Sequence, residues 1–212
     1  MKITKIILFI GFCGFLVYNS VYIENLKKRQ SAQDKKDFKP VAYAQKLYNK
    51  NKNRLFNEAI FYSSLLNKLK RNRKAVFNQY SHSNGISNSY YFLIKSKGTI
   101  DSTSDSLGYA VINLTRLKHT QIHLKNSAIF GNAVINATHW VSVNDFSNMM
   151  DYDNISNALN KLVAKNIKSS LTSPKNIGKK ITFIGVLKID KNQTIDLSDS
   201  PEITPVEVKI VE

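Results

Sequence analysis

The feature that most constrains this chain is the way its hydrophobic period changes after residue 89. Alternation of apolar and polar residues, which is typical of half-buried strands, fills residues 90–100, 109–117 and 121–130. A stripe of apolar residues that recur about every 3.6 positions follows. Alternation then returns in residues 180–189 and 205–211. The pattern therefore predicts three strands, one helix and two further strands.

The predicted helix between the strands begins at Asp153, a residue type favoured at the N-cap, and ends at Ser173. A further short strand is predicted over residues 137–143. One face of the helix is apolar, which indicates packing against a core. The residues of this face are Ile155, Ala158, Leu159, Leu162, Val163 and Ile167.

This order of elements is that of an OB-type barrel, in which a helix lies between the third and fourth of five strands. The first strand of such a barrel is long and bent because it joins both sheets. Gly98 and Gly185 interrupt strand patterns and are predicted to mark a bulge or a bend. The predicted fold class is α+β, with an OB-like five-stranded β-barrel over residues 88–212.

Two helices are predicted in front of the barrel, in a helical segment that spans residues 40–82. Pro40 suits the first turn of the first helix, because its missing N–H has no partner there. The second helix is predicted over residues 54–80. Its basic face is interpreted as a solvated surface or, alternatively, as a surface that lies against anionic phospholipid headgroups. The residues of this face are Lys68, Lys70, Arg71, Arg73 and Lys74.

The N-terminus contains an apolar run over residues 6–23, preceded by Lys2 and Lys5. These roughly 18 residues would rise about 27 Å as a helix, which barely spans a bilayer core. Residues 1–29 are therefore predicted to be a signal anchor or signal peptide, followed by a tether over residues 30–39. The predicted lipid contacts are Ile6, Leu8, Phe9, Phe12, Phe15, Leu16 and Val17.

Cys13 is the one cysteine of the chain, so no internal disulfide forms. It leaves three alternatives open: an uncleaved anchor, a lipidated cysteine and ordinary cleavage. Phe12 is bulky for the position before a lipobox cysteine, and the apolar run continues past Cys13, so the uncleaved anchor is favoured. A signal-like segment at the N-terminus favours export, because such segments export the residues that follow them. Charge leaves the orientation open, because lysines and an arginine also follow the run at residues 27–29.

The net charge of +16 is weak support for nucleic-acid binding. Lysine outnumbers arginine 26 to 5, and 23 asparagines accompany it, a pattern that A/T-rich coding also produces. Phosphate-binding proteins favour the arginine fork. Tyr109 is the one aromatic residue in GYAVINLTR and QIHLKN, residues 108–116 and 121–126 of predicted strands two and three, where OB proteins stack bases. Specific nucleic-acid binding is not expected, and an anion or nucleic-acid-binding OB protein is kept as the alternative.

The sequence shows no catalytic motif, and no catalytic residue, metal site or cofactor is predicted. His119 and His123 have the spacing of a zinc protease motif but lack its glutamate. On a strand they would lie about 13 Å apart, so they are interpreted as surface histidines. His82 and His139 have no metal-ligand residues near them in sequence. A non-enzymatic protein is predicted, and a hydrolase with a dispersed site is the other alternative.

Several segments, taken in order, resemble a known family: FKPVAY at residues 38–43, YFLIK at 91–95 with Gly98, DFSN at 145–148 with Tyr152 and SNALN at 156–160, GKKITFIG at 178–185, and ITPV at 203–206. The family is that of predicted periplasmic lipoproteins called domain of unknown function 2291. The resemblance covers residues 38–211.

The resemblance implies an exported bacterial protein with an OB-like barrel, held at the membrane surface. The predicted location is therefore the cell envelope, on the periplasmic side of the inner membrane. It also implies an accessory role in carbohydrate uptake, with sugar ABC-transport components as partners. No activity or binding residue of the family is established. The expected function is therefore a membrane-tethered accessory or binding module that contacts the membrane through residues 6–23.

The densest cluster of family-like residues lies at residues 145–160 and is the candidate ligand or partner contact. It comprises Asp145, Phe146, Asn148, Tyr152 and Asn157. A structural interpretation, which is favoured, has the two aromatic residues closing the barrel end. In it the three short polar side chains bond loop backbone groups.

Overall fold

The computed structural model describes residues 38–83, 88–117, 119–146, 148–193 and 200–211. The predicted anchor, Cys13 and most of the predicted tether lie outside the described residues. Within the described ranges, no helix is long and apolar enough to cross a membrane. Residues 40–212 form one compact unit.

Seven strands occur within the described ranges, and two of them are only two residues long. They are β1 Ile60–Phe61, β2 Ser81–His82, β3 Ser89–Ser104, β4 Tyr109–Leu114, β5 Gln121–Lys125, β6 Lys180–Asp190 and β7 Glu202–Val211. The α-helices of the same ranges lie before β3 or between β5 and β6. They are α1 Pro40–Asn51, α2 Leu55–Glu58, α3 Tyr62–Arg71, α4 Arg73–Tyr80, α5 Ala133–Thr138 and α6 Met149–Thr172.

The sheet curls into a partly closed barrel because β3 has two long partners. The first part of β3 pairs antiparallel with β6, and its second part pairs antiparallel with β4. The circuit continues through β5, a short parallel contact with β7, and the antiparallel β7–β6 pair. The predicted order of three strands, a helix and two strands is confirmed.

Gly98 lies where β3 passes from one partner to the other, since it pairs with both Leu114 and Ile181. A Cβ at this position would lie 2.5 Å from Ile112 Cγ2 and 2.6 Å from the Asn113 carbonyl oxygen. Glycine is therefore required by close approach of the neighbouring strand.

Irregular pairing occurs at two other points. In β3 the register shifts between residues 100 and 102, which places the bulge after Gly98. The β6–β7 register shifts at Gly185, which confirms the bulge predicted there.

The core lies inside the barrel and beneath α6, and its apolar side chains come from both. Ile94, Ile112 and Ile122 are fully buried in the barrel strands. Burying each such side chain stabilises the fold by about 1.5–3 kcal/mol. The predicted apolar face of α6 is confirmed for Ile155, Leu159, Val163 and Ile167, which are 0–2 % exposed.

Helix α6 begins earlier than predicted, because Asn148 and not Asp153 is its N-cap. The Asp151 backbone N–H donates to Asn148 Oδ1 at 2.8 Å, which satisfies a first-turn donor. Asp153 lies within the helix and accepts a hydrogen bond from Asn132 Nδ2 at 3.1 Å. The prediction of Asp153 as the cap was wrong because residues of cap-forming type also occur five and two residues before it, at Asn148 and Asp151.

The predicted helix over residues 54–80 is interrupted twice, so the two-helix prediction is wrong. Ala59 is extended, with ψ 134°, and the next two residues form β1. Strand β1 pairs in parallel with Ile94 and Lys95 of β3. Asn72 breaks the helix again, with φ −152°, and its side chain accepts the Ala75 N–H at 3.0 Å. The pairing of β1 with β3 interrupts the helix, although the apolar residues of this segment have helical spacing.

The predicted strand at residues 137–143 is wrong, because Ala133–Thr138 is helix α5. Val134, Ile135 and Ala137 are buried, and a short apolar run does not distinguish a buried helix from a strand. Strands β4 and β5 also end earlier than predicted, at Leu114 and Lys125.

Candidate functional site

Two aromatic residues of the predicted contact, Phe146 and Tyr152, hold the start of α6 against α1. The Phe146 ring lies 6.0 Å from the ring of Tyr43 in α1 and 6.0 Å from that of Tyr152. Tyr152 is 1 % exposed, and its hydroxyl donates to Asn136 Oδ1 at 2.8 Å. Both rings contribute to the packing of the two helices.

The polar residues Asp145 and Asn148 act as caps. Asp145 Oδ2 accepts the Ser142 N–H at 2.7 Å, which completes a capping box around a short 3₁₀ turn. Asn148 caps α6 and also donates from Nδ2 to Asp151 Oδ2 at 3.0 Å. Both side chains bond backbone groups at element ends, as the structural interpretation expects.

Asn157 does not bond the neighbouring loop, contrary to the structural interpretation, because it is exposed. The loop is held by Ser156 and Asn160, which donate to the Gly131 carbonyl oxygen at 3.1 and 2.7 Å. These two residues lie four apart and face the loop, whereas Asn157 is turned about 100° from Ser156. Asn157 lines a cavity of about 220 Å³ together with Phe130 and Asn160.

A larger cavity, of about 320 Å³, lies between the helical segment and the barrel. We call it the helix–barrel crevice. Its floor is buried and its rim is exposed and polar, an arrangement common in small-molecule sites. It is lined by Glu58, Ile60, Gln79, Tyr80, His82, Leu93, Ala137, Thr138 and His139.

Two histidines stack across the rim of the helix–barrel crevice. The rings of His82 and His139 are 4.8 Å apart between centroids and nearly parallel, at 4°. Strand β2 positions His82 by pairing it with Tyr91 of β3. His139 is the C-cap of α5 and donates its N–H to the Ile135 carbonyl oxygen at 3.1 Å.

The backbone of His139 is strained, since its φ of 49° lies in the left-handed region. That conformation costs a non-glycine residue about 1–2 kcal/mol. Strain of this kind clusters at functional sites. A glycine there would relieve the strain, so the histidine side chain is retained at a cost in stability.

The electrostatics of the rim favour an uncharged ligand. Partial burial, followed by the neighbouring His139, lowers the pKa of His82, while Glu58 opposes the shift. A neutral imidazole has one hydrogen-bond donor and one acceptor. The Glu58 carboxylate is already paired with Arg54 at 3.0 Å. The rim therefore offers hydrogen-bonding groups with little unpaired charge.

Sequence reasoning missed this crevice because its residues come from six separate elements. His82 and His139 lie far apart in the chain, and neither has a metal-ligand residue beside it in sequence. The available signal was a histidine just after a helix in each case, since His139 directly follows α5 and His82 follows α4 after Ser81. That signal is too weak to select a site without the fold.

The remaining histidines lie elsewhere. His119 lies in a turn with φ 62°, so the prediction that it lies on a strand is wrong. His123 lies on β5, and its ring stacks on that of Tyr109 in β4 at 4.1 Å. This pair is on the two strands that OB proteins use for binding oligonucleotides and oligosaccharides.

Among solved structures, the chain is similar to that of an OB-fold protein from Thermotoga maritima. The two share 26 % sequence identity with a TM-score of 0.69, over 83 % of this chain and 100 % of that chain. No curated protein matches the chain. A sequence model of the predicted periplasmic lipoproteins, DUF2291, matches residues 12–209 and supports a location in the envelope. With nearly its whole length matched, the chain belongs to this family of predicted periplasmic lipoproteins.

Proposed function

We propose that the protein is a non-enzymatic, membrane-tethered envelope module that binds a small uncharged polar molecule in the helix–barrel crevice. A sugar or polyol is the ligand class that fits best. The observation that carries the proposal is the crevice of about 320 Å³ whose rim holds the stacked histidines. Pockets that bind small molecules start at about 300 Å³.

The chemistry of the lining supports a sugar or polyol. Leu93 and Ala137 are 6 % and 2 % exposed and form an apolar floor for C–H groups. Gln79 and the two imidazoles supply donors and acceptors for hydroxyl groups at the rim.

Binding without catalysis is proposed because the hydroxyl in the floor is occupied. Thr138 Oγ1 donates to the Val134 carbonyl oxygen at 2.9 Å, within its own helix. It is therefore not aimed at a base in the manner of an activated nucleophile.

The proposed cellular role is accessory to carbohydrate uptake, beside sugar ABC-transport components. It rests on the family resemblance and on the proposed ligand class. Attachment through residues 6–23 would keep the crevice at the membrane surface. The family description as lipoproteins also supports the alternative in which Cys13 carries a lipid.

A second candidate function is binding of single-stranded nucleic acid on β4 and β5. The stacked pair of Tyr109 and His123 favours it, since aromatic rings on this face stack bases. The cation beside the pair is neutralised, because Lys125 Nζ lies 2.6 Å from Glu202 Oε1. We therefore expect weak binding that falls steeply with salt.

The test of the crevice uses His139→Gly in the full chain, purified in a non-ionic detergent. Thermal unfolding is followed with and without each member of a panel of sugars and polyols. The wild type should be stabilised by at least one ligand, and His139→Gly should lose that response. The matched control is His119→Gly, which relieves the same kind of backbone strain outside the crevice.

Both glycine variants should be at least as stable as the wild type without ligand, because each removes a left-handed non-glycine residue. A panel without any stabilising ligand would contradict the proposed function. So would an undiminished ligand response in His139→Gly.

A further inference from the structure

A second cavity, of about 120 Å³, lies on the other side of β1 from the crevice. Three lysines and three phenylalanines line it, with a single glutamate. We call it the lysine pocket, and its lining includes Phe56, Phe61, Lys95, Lys97, Glu207 and Lys209.

Strand register brings the lysines together. Lys95 lies beside Ile184 on β6, and Ile184 lies beside Glu207 on β7. The next row on the same face, about 7 Å along the strands, contains Lys97 and Lys209 on either side of Thr182. The sheet therefore places the backbones of the three lysines on one face, within two neighbouring rows.

Lys95 is unusual for a lysine because it is only 9 % exposed. Its Nζ donates to the Phe56 carbonyl oxygen at 2.5 Å. The same Nζ lies 4.0 Å from the Phe56 ring centroid and 4.8 Å from that of Phe61. An ammonium has three donors, and the carbonyl takes one of them.

Lys95 has no carboxylate partner in the part of the chain that the structure describes. Among the described residues, no carboxylate oxygen lies within 4.0 Å of Lys95 Nζ. Burial lowers the pKa of Lys95, as expected for a cation without a counter-charge. Cation–π contacts compensate only part of the cost of taking an ammonium out of water.

The rest of the lysine pocket adds to the positive charge. Glu207 is its one acidic lining residue, and its Oε1 is already bonded to Lys209 Nζ at 2.7 Å. Arg116 lies 5.2 Å from the Phe61 ring and places another cation at the edge. An anion in the pocket would supply the missing counter-charge.

We propose that the lysine pocket binds a small tetrahedral oxyanion, phosphate or sulfate in type, either free or as a phospholipid headgroup. Lys95 and Lys97 provide the charge, and Thr182, which lies between Lys97 and Lys209, adds a hydroxyl as a neutral donor. The cavity has about four times the liquid volume of a water molecule, which is room for one such group. This site is separate from the crevice and does not depend on the function proposed there.

The test uses the full chain in non-ionic detergent at pH 7.5, with phosphate or sulfate replacing chloride at constant ionic strength. A specific site should raise the unfolding temperature with a saturating dependence on anion concentration. Lys97→Gln, which changes an exposed side chain, should raise the Kd for the anion at least tenfold. Lys95→Met, which keeps a long aliphatic side chain in the buried position, should raise the Kd by a similar factor.

The matched control is Lys188→Gln, since Lys188 is 55 % exposed on β6 and paired with Asp190 outside the pocket. Its anion response should equal that of the wild type. The proposal is overturned when phosphate and sulfate raise the unfolding temperature no more than chloride does. Equal responses in the wild type, Lys97→Gln and Lys188→Gln would also overturn it, because that result indicates diffuse screening. Lys97→Gln keeps the test valid even when Lys95→Met folds poorly.

The source of the anion is decided by reconstituting the chain in vesicles. In neutral phosphatidylcholine vesicles, free phosphate should stabilise the protein as it does in detergent. In vesicles that contain phosphatidylglycerol, loss of the phosphate response identifies the lipid headgroup as the occupant. A response retained there identifies a free anion. An absent response in both kinds of vesicle counts against the site.

Discussion

Replacing Gly98 by alanine tests how the barrel closes. The added Cβ would meet Ile112 Cγ2 at 2.5 Å and the Asn113 carbonyl oxygen at 2.6 Å. Ordinary contacts of this kind lie at 3.5–4.0 Å, so about 1 Å of displacement is needed. Ile112 is fully buried, and the carbonyl belongs to β4 itself, so neither neighbour can turn away.

The expected loss of unfolding free energy for Gly98→Ala is about 3 kcal/mol, the upper end of the range for overpacking a core. For a chain of this size that corresponds to a fall of about 6–12 °C in Tm. Gly178→Ala is the matched control. Gly178 has φ 83° with no atom within 4 Å of an added Cβ, so only backbone strain of about 1–2 kcal/mol applies.

The assay is urea unfolding of the full chain in detergent, followed by the fluorescence of Trp140, the one tryptophan. The denaturant slope should be unchanged, so that the midpoint reports stability. The reasoning is refuted when Gly98→Ala loses less than about 1 kcal/mol, or no more than Gly178→Ala, because β3 would then have room at the crossing.

Three further outcomes are expected. Because burial lowers the folded-state pKa of His82, its contribution to stability is full above the unfolded pKa of about 6.5 and falls as the pH drops below it; thermal melts between pH 7.5 and 5 should show a decline that is shallower in His82→Gln. Asn160→Ala should lower the unfolding free energy by about 1 kcal/mol by removing its bond to the loop carbonyl, whereas the exposed Asn157→Ala should change it by less than about 0.5 kcal/mol; equal losses in urea titrations would contradict this assignment. Cys13→Ser should stay in the membrane fraction, and its release on fractionation would favour the lipidated form over the uncleaved anchor.

For the site, the sequence identified residues with local roles but not the cavities. Asp145 and Asn148 were singled out correctly as short polar side chains near element ends, because capping depends on neighbours two or three residues away. Asn157 was assigned the role that Ser156 and Asn160 have, because all three polar residues border the apolar stripe and only the packing of α6 decides which of them face the loop. Neither His82 nor Lys95 carries a local signal of its surroundings.

The strand order, the apolar face of α6 and the bulge at Gly185 were determined by the sequence alone, because hydrophobic period and glycine placement are local properties. Tertiary structure alone decided the interruption at Ala59 and the pairing of β1 with β3. That pairing places the helix–barrel crevice on one side of β1 and the lysine pocket on the other. Both cavities join residues distant in the chain, and such contacts are fixed only when the barrel closes and the helical segment docks on it.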